Sequence, residues 1–164
     1  MEKMLVSGVA SDKNVARISL VCIEDTPGKA FEIFSLMAKE NISVDIILQS
    51  IGRDNTKDIS FTVSKNDLDL AISTLEKNKT RISARKILND DTNAKLSIVG
   101  AGMASNAGVA SLMFEALFDA GINISMISTS EIKISVLIDE KDVDAGMRAV
   151  HDKFNLASAS LRNR

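Results

Sequence analysis

No tryptophan and no tyrosine occur among the 164 residues, and proline, cysteine and histidine occur once each, as Pro27, Cys22 and His151. One cysteine excludes an internal disulfide and a cysteine-rich zinc site; one histidine excludes any site that needs two imidazoles. Phenylalanine is the whole aromatic supply, with six copies spaced mostly as core residues, so stacking platforms for single-stranded nucleic acid are poorly provided. No unbroken apolar run approaches the roughly 18 residues of a membrane span, and Met1-Glu2-Lys3 leads into no apolar secretory core. Neither sign of charge dominates. Lys and Arg number 20 against 22 Asp and Glu, a net charge of −2, which speaks against a nucleic-acid surface built on bulk positive charge. A soluble, cytoplasmic chain with no nucleic-acid and no membrane partner is expected. What is present is a 45% hydrophobic and 26% charged composition, ordinary for a globular protein and sufficient for one domain or two small ones.

The strongest signal along the chain is an internal repeat. Ala16-Arg17-Ile18-Ser19-Leu20-Val21 lies over Ala94-Lys95-Leu96-Ser97-Ile98-Val99. Gly28 to Ser50 lies over Gly108 to Ser130, with Phe34 on Phe114 and Ile42 on Ile122; Ile59-Ser60 lies over Ile134-Ser135 and Asp67 over Asp142. One unit is written twice.

Each copy carries the same order of elements. Residues 16 to 23 alternate as a strand through Ile18, Leu20 and Cys22. Thr26 is a good N-cap and Pro27 suits a first helical position before Ala30, Ile33, Phe34, Met37 and Ala38 at helical spacing; Asn41 sits where that helix should stop. Val44, Ile46 and Leu48 mark a second strand, Gly52 to Lys57 a turn, and Ile59, Phe61 and Val63 a third strand, together a hairpin. Ser64 and Asp67 form a capping-box pattern before a helix through Leu68, Ala71, Ile72 and Leu75. The second copy repeats this with a helix near 107 to 120, strands near 122 to 130 and 132 to 138, and a helix near 141 to 154.

Such an order needs one further strand to close an α+β, ferredoxin-like βαββαβ sandwich of two helices on one antiparallel sheet. The first copy takes it from residues 82 to 88. The second copy runs out of chain, whereas Met4 to Ala10 reads as a strand with no partner of its own. The N-terminal strand is therefore expected to complete the second unit, giving domains of 14–90 and of 94–157 plus 4–10, with 158–164 as a polar tail.

Residues that could carry chemistry are few. Gly100-Ala101-Gly102 resembles the start of a dinucleotide fingerprint, but Ser105 stands where a third glycine belongs, and the topology turns into a hairpin instead of a parallel crossover. Gly28-Lys29-Ala30 lacks the upstream glycine and the Ser or Thr of a phosphate loop. His151 shares a polar helix face with Asp144 and Arg148, the setting of a solvated histidine, and Cys22 suits a buried, inert thiol. No catalytic residue, metal or cofactor is expected.

The two loops between first strand and first helix remain, residues 24–30 and 102–108. Each feeds a helix N-terminus, where backbone N–H groups lack partners and the helix dipole favours an anion. Gly28 and Gly108 let a small ligand approach the backbone. Asp45 and Gln49, four apart on the neighbouring strand, share a face, and Asp45 can accept an ammonium group. Orphan donors at one end and carboxylates or carbonyls at the other suit a free amino acid; an ordinary helix cap beside a solvated acid fits the same residues.

Val6-Ser7-Gly8-Val9-Ala10, Asp25-Thr26-Pro27-Gly28, Val44-Asp45-Ile46-Ile47-Leu48-Gln49, Val99-Gly100-Ala101-Gly102-Met103 and Ile127-Ser128-Thr129-Ser130-Glu131-Ile132 resemble the regulatory half of aspartate kinase (aspartokinase), a pair of ACT domains. The resemblance covers nearly the whole chain. It implies binding of end-product amino acids, free lysine and often threonine, and feedback inhibition of an aspartate kinase whose catalytic domain or subunit is the partner. It also implies a threonine-type site from Gly28, Ala30 and Gln49 with Asn123 and Ile124, and a lysine-type site from Asp25, Asp45, Ser130 and Glu131. The catalytic half's lysine-rich nucleotide motif is not in this sequence, so no kinase activity is expected of the chain alone. Helix 107 to 120 is apolar on more than one face through Val109, Leu112, Met113, Phe114, Leu117 and Phe118, and a homodimer is expected. Two alternatives stand beside this reading: an ACT-type sensor of another enzyme, and a nucleotide-binding enzyme.

Overall fold

The computed structural model describes residues 6–101, 103 and 107–162, and for 156–162 the backbone alone. It divides into two compact units, one running Asn14–Thr92 and the other joining the chain up to Lys13 with the chain from Asn93 onward.

In the first unit, alternation of buried and partly exposed residues builds β2 (Ala16–Glu24) and β4 (Thr56–Val63), with β3 (Ile47–Ile51) and β5 (Lys86–Asp90) at the edges. The sheet order is β3-β4-β2-β5, antiparallel throughout. Helices α1 (Lys29–Lys39), α2 (Leu68–Lys77) and the single turn α3 (Lys79–Ile82) accompany it. Ile33 and Met37 of α1 and Ala71 and Leu75 of α2 pack with Ile18, Leu20, Ile59 and Phe61 of the sheet. Phe34 meets Phe61 edge-on at 5.3 Å between ring centroids. Fully burying side chains of this size stabilises by roughly 1.5–3 kcal/mol each before entropy is counted.

The second unit repeats the plan with β6 (Asn93–Gly100), α4 (Ala107–Asp119), β7 (Met126–Thr129), β8 (Lys133–Asp139) and α5 (Val143–Arg162). Its fourth strand is β1 (Val6–Asp12), antiparallel to β6 from Val6 opposite Gly100 to Asp12 opposite Lys95. The order β1-β6-β8-β7 puts β1 where β5 stands in the first sheet, so the N-terminal strand completes the second unit; Met4 and Leu5 of the expected strand lie outside the described residues. The copies agree down to a cross-strand hydroxyl pair, Ser19 with Ser60 at 2.8 Å and Ser97 with Ser135 at 2.7 Å.

Both first helices end alike. Asn41 (φ 56°) and Gly121 (φ 69°) take the left-handed conformation. Asn41 N–H then donates to Ala38 O at 3.0 Å and Ile42 N–H to Met37 O at 2.9 Å; Gly121 N–H to Phe118 O and Ile122 N–H to Leu117 O repeat this at 2.9 Å each. This paired closure satisfies the last carbonyls and turns a buried isoleucine back onto the core.

Four local expectations need correction. Helix α1 starts at Lys29 with Gly28 as its N-cap, and no side chain caps it. Thr26 N–H is drawn back to Glu24 O at 3.0 Å, in a loop that precedes the cap instead of forming it. Strand β3 starts at Ile47, because Thr62 pins the approach: its hydroxyl accepts Ile46 N–H at 3.0 Å and its carbonyl accepts Asp45 N–H at 3.1 Å. Asp45 is thus outside the strand. The tail 158–164 is helical as far as Arg162, since Ala157, Ala159 and Leu161 are good helix formers and no Gly or Pro intervenes; Asn163 and Arg164 lie outside the described residues. Cys22 is half-buried at φ 54°, not buried within a regular strand. No helix among the described residues is long and apolar enough to cross a membrane.

Candidate functional site

The β2–α1 loop is shaped by a bulge. Register shifts between Leu20 and Ile23, and the Asp58 carboxylate accepts the displaced Cys22 N–H at 2.8 Å, so the end of β2 bends as bulged strands do. Beyond it, Asp25 N–H donates to Asn55 O at 2.8 Å, tying the loop to the β3–β4 hairpin. That hairpin turns through Asp54 and Asn55, both left-handed at φ 54° and 58°, a primed turn closed by Thr56 N–H to Arg53 O at 3.1 Å.

The loop delivers Gly28 (φ 93°) to the start of α1, where Glu32 N–H bonds Gly28 O at 2.9 Å. The preceding amides have no intrahelical acceptor, Gly28 is exposed, and no side chain caps the helix by a hydrogen bond. Ala30 is half-buried in that first turn. Asp25 is also exposed and pairs with Lys57, Nζ to Oδ1 at 3.2 Å. Gln49 sits on β3 opposite Ile59, on the face that β4 turns inward, yet is exposed because β3 is the edge. Asp45 is exposed on the approach to β3. The fold gathers Asp25, Gly28 and Ala30 in one loop and helix turn; Asp45 and Gln49 belong to the edge segment and do not share one strand.

In the second unit the corresponding loop is described at Ala101, Met103 and from Ala107; Gly102, Ala104, Ser105 and Asn106 lie outside the described residues. Met103 N–H donates to Glu131 O at 2.8 Å, the counterpart of the Asp25–Asn55 bond. Ser130 turns β7 into β8: its N–H donates to Lys133 O at 2.8 Å and its hydroxyl accepts Lys133 N–H at 3.2 Å. Glu131 is exposed in the same turn. Asn123 is exposed and Ile124 half-buried against the core, both ahead of β7.

Sequence reasoning missed Lys57 and Asp58, which it left at the margin of a turn. The signal was available in the alternation: Lys57 falls in the inward phase with Ile59 and Phe61. His151 is exposed, with Asn155 Nδ2 at 3.2 Å from its Nδ1. No group of three or more His, Cys, Asp or Glu able to hold a metal occurs among the described residues. An uncapped helix end beside exposed carboxylates provides hydrogen-bond donors for an anionic group and acceptors for a cationic one, the complement of a small zwitterion.

An ACT domain family model matches residues 18–78 and again 96–154. An aspartate kinase of Pseudomonas putida is 47% identical over 156 residues, 95% of this chain and 38% of that protein; the chain thus spans well under half the length of the curated relatives it matches. Among solved structures, aspartokinase alpha and beta subunits superpose with a TM-score of 0.85 at 47% identity, covering 92% of this chain and 99% of that one. The ligand-free regulatory subunit of aspartate kinase from Thermus thermophilus superposes at 0.86 with 39% identity and the same coverage.

Proposed function

The chain belongs to the ACT-domain family, as a pair matching the regulatory region of aspartokinases, and from that premise we propose that it binds free lysine and/or threonine and transmits feedback inhibition to the catalytic part of an aspartate kinase. The observation that carries the amino-acid reading is the exposed, uncapped N-terminus of α1 behind Gly28, with the Asp25 carboxylate in the same loop. It supports an α-carboxylate at the amides and an amino or cationic group at the acids.

In this reading Gly28, Ala30, Gln49, Asn123 and Ile124 are threonine contacts, and Asp25, Asp45, Ser130 and Glu131 are lysine contacts. The chain has no catalytic role of its own and acts as a homodimer; the largely exposed Phe118 on α4 supports a face that association would cover. Inhibition is then the difference in effector affinity between an active and an inactive arrangement of the enzyme, typically about 1–3 kcal/mol of coupling.

Ser130 is a poor probe, because its hydroxyl also holds the β7–β8 turn. Gln49 is a better one, exposed on an edge strand. In an assembly of this chain with an aspartokinase catalytic part, Gln49→Ala should raise the threonine concentration for half-inhibition about tenfold, the loss of roughly one hydrogen bond. An unchanged half-inhibition concentration would remove Gln49 from the effector site.

A further inference from the structure

Among the described residues Lys57 is the one buried charged side chain. It stands on β4 opposite Ile23 of β2 and Ile51 of β3, and its side chain is 11% exposed. An ammonium has three donors to satisfy, and the partner found for this one is the Asp25 carboxylate at 3.2 Å. Asp25 is half-exposed, so its carboxylate meets the buried amine through Oδ1 and remains accessible to solvent.

The module folds without this pair. In the second unit Met103 makes the backbone bond that Asp25 makes in the first and is 3% exposed, while Ile132, which precedes Ile134 by two as Lys57 precedes Ile59, is largely exposed, so these two positions hold no charged pair. A buried ion pair is weak evidence for stability, and the second copy ties its loop to its hairpin by the Met103–Glu131 backbone bond with no ion pair at these positions. The pair therefore marks something the first unit does that the second does not.

We propose that Lys57 is a specificity-determining residue of the β2–α1 loop: an internal counter-ion that occupies Asp25, so that a cationic effector side chain must compete with it while a neutral, hydroxylated one need not. The inference rests on the amino-acid-binding reading above and deepens it. Lys57 also adds positive charge beneath the loop that leads into α1, which favours the carboxylate common to every amino acid. Selectivity then arises by opposing the wrong side chain as well as by holding the right one.

The test is calorimetric titration of the full chain with L-lysine and with L-threonine. Lys57→Met should shift the affinity ratio toward lysine by about tenfold or more, and adding Asp25→Asn to that variant should abolish the shift, since the two residues act through one contact. Asp25→Asn alone, a near-isosteric change at a half-exposed position, should move the ratio the other way by leaving the ammonium unopposed; it keeps the test decisive if Lys57→Met fails to fold. A ratio unchanged within twofold in both single variants, with both ligands still bound by the parent chain, overturns the role of Lys57 and leaves the amino-acid reading standing. Binding of neither ligand by the parent chain overturns that reading, and this one with it.

Discussion

At the scale of the residue, Gly52 and Gly8 make a contrast that composition cannot reveal. A Cβ on Gly52 would run into the carbonyl of Thr56, whereas one on Gly8 would meet nothing within 4 Å. Gly52→Ala must therefore shift the backbone where β3 enters the hairpin, and through the Asp25–Asn55 bond it disturbs the loop that opens α1. Its cost should be about 2 kcal/mol or more, against roughly 0.5 kcal/mol or less for Gly8→Ala; urea unfolding of both variants checks this, and equal midpoints would contradict it. At this scale the sequence was partly legible. Asp54 and Asn55 advertise a turn because both tolerate left-handed backbone. The partner of Asp25 was hidden, because an inward lysine declares itself only once β4 is aligned with β2 and the end of β2 has been bent by the Cys22 bulge.

At the scale of the element, apolar periodicity located both hairpins and the long helices, and the repeat supplied each doubtful segment with a clearer twin. The starts were harder to see. Thr26-Pro27 carries a strong helix-start signal, but Gly28 in the left-handed region postpones the helix beyond it, and that exposed amide end is what makes the loop a candidate site. Val44, Ile46 and Leu48 alternate as a strand should, yet Thr62 holds the first part of that run by side chain and carbonyl, leaving Asp45 off the ladder. Strand β1 could be placed because it had no partner in its own neighbourhood and the second sheet lacked an edge. Removing residues 1–10 should therefore expose β6: its amides, and those of β8, should lose hydrogen-exchange protection while β2 and β4 keep theirs. Loss of protection in β2 and β4 first would contradict the pairing of β1 with β6.

At the scale of the whole molecule, the chain is two copies of one fold whose differences are as informative as their agreement. The shared features are those that folding demands: paired serines across the sheet, left-handed residues closing the first helices, and a backbone bond from loop to hairpin. The unshared feature is the charged pair Asp25–Lys57, in whose place the other copy has a buried Met103 and a largely exposed Ile132. The central claim is that this fold presents an exposed helix end and nearby carboxylates for a free amino acid. Isothermal titration of the chain with L-lysine and L-threonine, separately and together, tests it most directly. Saturable binding of at least one of them is the result expected, weakened by Gln49→Ala for threonine or by Asp45→Ala for lysine. No saturable heat from either ligand, alone or combined, would contradict the claim.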